Sequence, residues 1–375
     1  MMNRKFQLFP RRAHQLFSGI VASTLLVGGL SGCVSVADGA SATQAPLTPD
    51  DIQLVTVIQS SSNEYMLDWA KGSEAFAKSV GLPLKTIVSN GDSQQQLSQI
   101  QATIASGKKV VVNINPISSA DVPAIVKAVT ASGGYIVTQW QKPADYFPWN
   151  VGPGYVAAMT YDGVGPGYDT AKALFDAMGG TGGVVAFQGI LDSPPAQQRY
   201  EGFHQALAEY PGITLLDTQT AGWDRQKAFD ITQNMITKYG DQLAGVWSAS
   251  DSMALGALSA LDQAGRASTV KMSGVDGTAE AVKQINEGEN YVISYTSDPY
   301  YNGAVGLAMA YEAAIGKLDV ASLTHEQRDG VYSQSFVDKQ NSAEYLQAPT
   351  PEEIMSEVDK GVFERLIGPN VAAQK

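Results

Sequence analysis

The stretch GVWSASDSMALGALSALDQAGRASTVKMSGVDG, residues 245–277, decides the fold. An apolar strand ends in small polar residues, Asp251 opens a helix of small residues, and a second strand runs into an Asp-Gly turn at Asp276. Ligands of open α/β sheets lie outside the carboxyl ends of the strands. The two strand ends in this stretch therefore predict one half of a ligand cleft.

The alternation of strands and helices continues through the chain from Asp51, which is typical of repeated βαβ units and mostly parallel sheets. The pattern breaks at residues 142–154, so we predict two α/β lobes. The predicted strands lie near 52–58, 84–88, 109–114, 134–139, 156–163, 183–188, 213–218, 244–249, 269–275, 291–297 and 331–337. The predicted helices lie near 64–80, 93–106, 119–132, 166–178, 195–209, 224–239, 251–264, 278–287, 300–316 and 351–366.

Length and cysteine content agree with this plan. The chain has 375 residues, 44% of them hydrophobic, and single cores stop growing at about 250–300 residues. Its only cysteine is Cys33, which excludes a disulfide framework and a multi-cysteine metal site.

The N-terminus has the features of an export signal. Four basic residues precede the apolar run 16–30, which is short for a membrane span of roughly 20 residues but suits a signal-peptide core. The run ends in Leu30-Ser31-Gly32-Cys33, which resembles the bacterial lipobox. We predict a lipoprotein signal peptide over residues 1–32 with lipidation of Cys33, and an ordinary signal peptide with an incidental cysteine is the alternative. Arg11-Arg12 leaves twin-arginine export open.

The rest of the chain is acidic. Residues 1–32 hold four of the 25 basic residues and none of the 37 acidic ones, so the remainder carries a net charge of −16. This charge argues against nucleic acid, whose binding depends on basic residues that neutralise phosphates. Residues 33–50 are small, polar and proline-containing, and we predict a flexible tether between a membrane surface and the folded body.

Four motifs resemble the ribose-type periplasmic sugar-binding proteins, the solute-binding components of bacterial ABC importers. The motifs are SDSMALGALSAL (250–261), GVDGT (274–278), QQRYEGFHQAL (197–207) and, more weakly, QSSSNEYMLDWAKG (59–72). The resemblance spans residues 51–318. It implies the type I periplasmic binding protein fold, in which two Rossmann-like lobes with parallel sheets are joined by a three-stranded hinge.

The resemblance also implies where the lobes divide. It places the hinges near Tyr161, Asp298 and Val337, so that the helix after Pro299 completes the first lobe. We expect an N-terminal lobe over 51–160 plus 298–337, a C-terminal lobe over 161–297, and a C-terminal extension over 338–375. Thr350-Pro351-Glu352-Glu353 is a capping-box pattern that predicts a final helix in this extension.

In the second lobe, three residues match ligand-binding positions of the family. The resemblance implies that Asp276 accepts hydrogen bonds from sugar hydroxyls, that Trp223 lies against the sugar ring, and that Ser250 offers a polar side chain. The alternatives are structural roles: Asp276 as a turn or helix-cap aspartate, and Trp223 as a residue that packs on the first turn of the next helix. Asp251 is interpreted as a helix cap.

In the first lobe, Asn63 and Tyr65 match a polar residue and a ring-stacking aromatic of the family, although Tyr65 also fits ordinary core at helical spacing. Elsewhere the chain departs from the ribose binders. Gln139-Trp140 stands where they carry an Asp-Arg pair, Gln197 where they carry an arginine, and Ser297 where they carry an amide. Because three charged groups are then replaced by neutral ones, ribose is disfavoured.

These departures assign selectivity to four positions: Gln139, Trp140, Gln197 and Ser297. Arg199 is interpreted as an anchor for its own helix, and Trp149 as a source of extra aromatic surface. We expect a neutral sugar or polyol to bind by hinge closure and to be delivered to an ABC permease with its ATPase. The expected protein is an extracytoplasmic monomer, held to the membrane by a lipid on Cys33, without cofactor, metal or nucleic acid.

Three other classes of function bear on the same sequence features: an enzyme, a repressor and a sensor. An enzyme is disfavoured because the three histidines are isolated and the glycines at 163–167 lack the third glycine of a dinucleotide fingerprint. A sugar-responsive repressor of the same fold would need a basic helix-turn-helix before the first strand. A sensor that presents its ligand to a chemoreceptor shares all the features above and stays open.

Overall fold

The computed structural model describes residues 45–370. The predicted signal peptide, Cys33 and most of the predicted tether lie outside the described residues. The described strands are β1 Ile52–Ile58, β2 Leu84–Val88, β3 Lys109–Ile114, β4 Tyr135–Gln139, β5 Tyr155–Tyr161, β6 Gly182–Gln188, β7 Ile213–Thr220, β8 Leu243–Ser248, β9 Lys271–Ser273, β10 Tyr291–Thr296, β11 Asp329–Tyr332, β12 Ser335–Asp338 and β13 Leu366–Pro369.

Helices connect most of these strands. They are α1 Glu64–Ser79, α2 Ser93–Ile104, α3 Val122–Ala131, α4 Pro148–Val151, α5 Val164–Ala177, α6 Pro194–Glu209, α7 Arg225–Tyr239, α8 Asp251–Gln263, α9 Ala279–Glu287, α10 Pro299–Ala314, α11 His325–Arg328 and α12 Pro351–Asp359. Short polar residues begin several of them: the side chains of Asn63, Asp92 and Asp224 accept hydrogen bonds from the first turns of α1, α2 and α7.

The first lobe is built on a seven-stranded sheet with the order β13-β11-β5-β4-β3-β1-β2. Its pairs are parallel except for β11 with β13. One face packs against α1, α10 and α12, where Trp69, Met309 and Tyr332 are fully buried. The other face packs against α2 and α3. Both faces are covered, which explains why these strands are almost continuously apolar.

The second lobe is built on a six-stranded sheet with the order β12-β10-β9-β8-β6-β7. Its pairs are parallel except for β10 with β12. The core gathers Phe187, Phe203 and Trp247, which are fully buried. The two sheets with their separate cores confirm the predicted fold of two α/β lobes.

The chain passes from one sheet to the other between β5 and α5, between β10 and α10, and between β11 and β12. The strand predicted near 331–337 is in fact two strands, β11 in the first sheet and β12 in the second. The third passage therefore lies at Ser333-Gln334. Periodicity could not separate the two strands because both are short and lie almost end to end in sequence.

Both ends of the described chain differ from the sequence prediction. Leu47, within the predicted tether, donates its backbone N–H to the carbonyl of Ala314 at 2.8 Å. The capping box predicted at Thr350 is present, but α12 ends at Asp359 because Gly361 has a φ of 139°, outside helical geometry. The chain then forms the unpredicted edge strand β13.

Candidate functional site

A cavity of about 300 Å³ lies between the two lobes. Its first-lobe wall comes from segments that follow β1, β2, β3 and β4, and its second-lobe wall from segments that follow β6, β7 and β9. Every wall segment thus leaves the carboxyl end of a strand, which is where open α/β sheets bind ligands. The volume is at the small end of the range for ligand pockets, roughly 300–1,000 Å³.

The two lobes are in contact across this cavity. Ser118 in the first lobe donates its hydroxyl to Asp192 Oδ2 in the second at 2.6 Å. Asn63 Nδ2 donates to the carbonyl oxygen of Trp223 at 3.4 Å. These contacts join the walls at two separate points, so the structure shows the cleft with its lobes closed on each other.

Backbone strain is concentrated at the cavity. Five non-glycine residues in the described part of the chain have a positive φ: 47° at Asn90, 72° at Trp140, 67° at Trp223, 136° at Asp276 and 52° at Asp298. The first four line the cavity, and Asp298 begins α10 at the second passage between the lobes. Such conformations cost about 1–3 kcal/mol each and cluster at functional sites.

The second-lobe wall contains a buried ion pair. Arg199 Nη1 lies 3.4 Å from Asp276 Oδ1, and both side chains are almost completely buried. The same nitrogen donates to the carbonyl oxygen of Ala249 at 2.6 Å. The guanidinium lies over two indole rings, 5.4 Å from the ring centroid of Trp140 and 5.8 Å from that of Trp223. It is therefore held by an ion pair, a backbone carbonyl and two aromatic faces.

The electrostatics of Asp276 differ from those of a surface carboxylate. Burial raises the pKa of Asp276 to about 8; the cation of Arg199 opposes the rise, and the nearby carboxylate of Asp251 adds to it. A carboxylate in this position gains from any extra hydrogen-bond donor. A ligand hydroxyl in the cavity can supply that donor.

Asp251 is fully engaged by the protein. Its Oδ1 accepts from the hydroxyls of Tyr291 and Ser294, each at 2.7 Å, and its Oδ2 accepts from the backbone N–H of Thr278 at 2.9 Å. Burial raises its pKa, and these hydrogen bonds oppose the rise. Asp251 therefore joins α8 to β10 and to the start of α9 instead of facing the cavity.

The first-lobe wall is neutral and is organised around the hydroxyl of Tyr65. This oxygen accepts from Asn302 Nδ2 at 2.7 Å and from Trp140 Nε1 at 3.2 Å, and it lies 3.1 Å from Ser297 Oγ. Behind it, Gln139 Nε2 donates to Asn113 Oδ1 and to the carbonyl of Asn302. The network fixes the indole of Trp140 in the cavity wall.

Five of the nine predicted ligand residues line the cavity, and four do not. The five are Asn63, Tyr65, Trp140, Trp223 and Asp276. The other four have protein partners: Gln139 and Ser297 belong to the network behind Tyr65, Ser250 caps α8 through the N–H of Met253, and the exposed Gln197 donates to the carbonyl of Leu191. Trp149 also lies elsewhere, stacked between Phe147 and His325.

Three residues that the sequence did not assign to the ligand site line the cavity with buried polar atoms. Gln141 Oε1, Ser193 Oγ and Arg199 Nε have no hydrogen-bond partner within the described part of the chain. Ser193 precedes α6 yet makes no side-chain cap. Arg199 was interpreted as a helix anchor, and it does bind Ala249; its position in the cavity wall was missed. The QQRYEGF motif indicated that this helix contributes to the ligand site, but it did not show which of its residues faces the cleft.

Comparisons with known proteins agree with this architecture. A family model described as a periplasmic binding protein domain matches residues 54–318. The xylitol-binding protein of Mycolicibacterium smegmatis is 28% identical over 328 residues, 86% of this chain and 86% of that protein.

Two solved structures resemble the whole two-lobed body. A Burkholderia phytofirmans protein described as a twin-arginine translocation pathway signal protein matches with a TM-score of 0.81 and 39% identity, over 84% of this chain and 98% of that one. An ABC transporter periplasmic solute-binding protein from Actinobacillus succinogenes, solved with D-allose, matches with a TM-score of 0.67 and 26% identity, over 78% of this chain and 99% of that one.

The fold and the inter-lobe cavity define a two-lobed binding protein. The chain belongs to the periplasmic binding protein family. Members of this family act outside the cytoplasm, and they are binding proteins rather than enzymes as a class. Residues 45–370 contain no helix with the length and apolar character needed to cross a membrane.

Proposed function

We propose that the protein captures a neutral sugar or polyol between its lobes and delivers it to the permease of an ABC importer. The observation that carries this proposal is the set of buried polar atoms without partners at the cavity: Gln141 Oε1, Ser193 Oγ and Arg199 Nε. They offer an acceptor, a hydroxyl and a donor. A molecule with several hydroxyls can satisfy all three kinds.

The charges at the site support a neutral ligand. Once Asp276 is ionised, it and Arg199 compensate each other at 3.4 Å, and Asp251 is occupied by the protein. An anionic ligand would compete with Asp276 for the guanidinium, and a cationic ligand would face Arg199 at close range. An uncharged hydroxyl can instead donate to Asp276 while it accepts from Arg199.

The aromatic walls support a ligand with an apolar face. Trp140 comes from the first lobe and Trp223 from the second, and both line the cavity. The C–H face of a sugar ring or of an extended polyol packs on such rings while its hydroxyls reach the polar groups. The similar proteins described above include a xylitol-binding protein and a structure solved with D-allose, and a polyol and a sugar both belong to this class of ligand.

Closure follows from the division of these groups between the lobes. Each buried polar atom without a partner costs about 1–3 kcal/mol, and the closed cleft contains such atoms from both lobes. A ligand that bonds to them therefore binds the closed form more tightly than the open form, which is the requirement for a ligand to shift the equilibrium. The bound molecule is released unchanged.

A thermal-shift panel of pentoses, hexoses, polyols and cyclitols tests the class of ligand. A true ligand at about 100 times its Kd stabilises the fold by about 2.7 kcal/mol. The shift should disappear in Arg199→Ala and persist in Lys78→Ala, which removes an exposed cation from α1. If no member of the panel stabilises the protein, the carbohydrate proposal fails.

Two further parts of the proposal concern chemistry and anchoring. Nuclear magnetic resonance of the recovered ligand should show an unaltered molecule, and any product would indicate an enzyme. Cys33 is proposed as the site of the lipid anchor. Mass spectrometry of the exported protein should show a lipid adduct that Cys33→Ser abolishes, and an unmodified cysteine would contradict it.

A further inference from the structure

The C-terminal extension connects the two lobes a fourth time. After β12, which belongs to the second sheet, residues 339–350 run over the second lobe, and α12 and β13 then pack on the first. We call residues 339–350 the strap. The three other passages join a strand directly to the next strand or helix, whereas the strap joins β12 of the second sheet to α12 on the first lobe.

The strap is fixed to the second lobe at its start. Lys339 Nζ donates to the carbonyl oxygens of Asn286 and Gly288, at 2.7 and 3.0 Å, where α9 ends. Ser342 Oγ donates to Asn286 Oδ1 at 3.2 Å. Tyr345 and Leu346 pack against the core of the second lobe. Charged, polar and apolar contacts thus hold one end of the strap.

The chain that follows the strap is fixed to the first lobe. The buried side chains of Ile354, Val358 and Val362 belong to the first-lobe core, and the hydroxyl of Tyr332 donates to the carbonyl of Val362 at 2.7 Å. Only residues 347–350 lie between the two anchored parts, and three of these four are exposed. Four residues span at most about 14 Å when fully extended.

The same extension also contacts the hinge, through Arg365. Arg365 Nη1 donates to Asp298 Oδ2 at 2.8 Å, and the guanidinium lies 3.9 Å from the ring centroid of Tyr301. The carbonyl oxygen of Arg365 accepts from the N–H of Ser333 at 2.9 Å. Arg365 therefore contacts the second passage at Asp298 and the third passage at Ser333.

We propose that the strap, together with Arg365, limits the rotation of the lobes and so restricts how far the ligand-free cleft opens. A segment of four residues between two anchored ends cannot lengthen, so relative movement of its anchors stops when it is extended. A hinge with restricted travel spends more time near the binding geometry, which lowers the ordering cost of binding. This device goes beyond the proposed function because it acts whether or not the ligand is a carbohydrate.

Lengthening the strap tests this device without removing any packed residue. Three residues, Gly-Gly-Ser, are inserted between Gln347 and Ala348, and the matched control carries the same insertion in the exposed first-lobe turn between Gly107 and Lys108. Spin labels are placed through Lys85→Cys and Lys227→Cys in a Cys33→Ser background. Lys85 lies on β2, the edge strand of the first sheet farthest from the hinge, and Lys227 lies in the first turn of α7, which follows the edge strand β7 of the second sheet.

Pulsed electron resonance on the ligand-free protein should show a longer inter-label distance with the strap insertion and an unchanged one with the control insertion. Small-angle scattering of the unlabelled proteins should show a larger radius of gyration for the strap insertion alone. Arg365→Gln should act in the same direction, with Lys360→Gln as its control in the same extension. Distances equal to the wild type in the strap insertion would overturn the proposal. Since no ligand is added, failure of the carbohydrate proposal leaves this result interpretable.

Discussion

The two walls of the cleft are built from different chemistry. The second-lobe wall contains Arg199 and Asp276, a buried pair of ionisable side chains, whereas the first-lobe wall is a neutral network around the hydroxyl of Tyr65. Removal of one partner from a buried ion pair leaves the other charge uncompensated, which costs far more than the loss of a neutral hydrogen bond. From this difference we predict that the second lobe supplies most of the affinity for the ligand and that the first lobe supplies a fixed surface that closes on it.

The largest effect is expected at the cation of the second lobe. Arg199→Ala should weaken ligand binding more than 100-fold, about 3 kcal/mol, because Asp276 is left buried and unpaired. Isothermal titration calorimetry with a ligand from the panel measures the change. Arg225→Ala is the matched control, since Arg225 pairs with Glu280 through two short hydrogen bonds but both side chains are partly exposed.

The control should change affinity by less than about fivefold, because an ion pair screened by solvent is worth about 1 kcal/mol or less. A loss in Arg199→Ala no larger than the loss in Arg225→Ala would remove the asymmetry between the walls. Circular dichroism on both variants separates lost binding from lost folding.

The second largest effect on binding is expected at Asp276. Asp276→Asn should weaken binding about 30-fold, roughly 2 kcal/mol, since hydrogen bonds to charged groups are worth about 1.5–3 kcal/mol. It should also change the pH profile. Burial raises the pKa of Asp276 to about 8, so the ligand-free protein keeps a proton there below that pH. A hydroxyl that donates to the ionised carboxylate displaces this proton on binding.

Wild-type affinity should therefore rise from about pH 6 to about pH 8 and then level off, and Asp276→Asn should show a flat profile. The stability of the ligand-free wild type should run the other way and fall over the same range, because a raised carboxyl pKa favours the folded state only while the proton is bound. Asp217→Asn is the control, since Lys238 lowers the pKa of Asp217 to about 2, outside this window. A flat wild-type profile would show that Asp276 does not titrate with binding.

A smaller effect is expected at the aromatic surface of the second lobe. Trp223→Ala should weaken binding about tenfold, near 1.4 kcal/mol, through loss of the ring face that packs on the ligand. Trp149→Ala removes an indole of the first lobe that stacks between Phe147 and His325, outside the cavity wall, and should leave affinity unchanged. Equal effects of the two substitutions would contradict the assignment of Trp223 to the site.

The sequence predicted the fold well because long periodic segments carry its signal. The strands β1, β2 and β3 and helix α1 lie within a residue of their predicted bounds. The pair β11 and β12 was predicted as one strand because two four-residue strands on different sheets have no periodic signature that separates them. The edge strand β13 could not be predicted, since its pairing with β11 depends on tertiary contact.

Site residues in the loops that follow strands could be predicted from the sequence. Residues whose place in the site depends on the direction of the side chain could not. Asp276 and Trp223 each lie three residues after the end of a strand, β9 and β7, and both line the cavity. At the end of β4, the alternation of side chains along a strand could not show which residues face the cavity, because Trp140 has a φ of 72° and the backbone leaves the strand path there. As a result Gln139 joins the network behind the wall, while Trp140 and Gln141 reach the cavity.

Helix α6 shows most clearly how the direction of a side chain limits prediction from the sequence. The resemblance pointed to Gln197, whereas the structure places Arg199 in the cavity wall and leaves Gln197 exposed. At about 100° per residue, two positions along a helix differ by about 200°, so the two side chains leave opposite faces. A sequence motif shows that one of the two faces the cleft but not which one.

The smallest effect is therefore expected at Gln197. Gln197→Ala removes only a hydrogen bond to the carbonyl of Leu191 at the surface, so affinity should stay within about twofold and stability within about 0.5 kcal/mol. Isothermal titration calorimetry of Gln197→Ala and Arg199→Ala compares the ligand affinities of two variants within one helix. A tenfold loss in Gln197→Ala would mean that α6 turns or shifts when ligand binds, because in this structure the Gln197 side chain does not line the cavity. The argument for a neutral ligand would then rest on Gln197, and the pair of Arg199 and Asp276 would have a structural role.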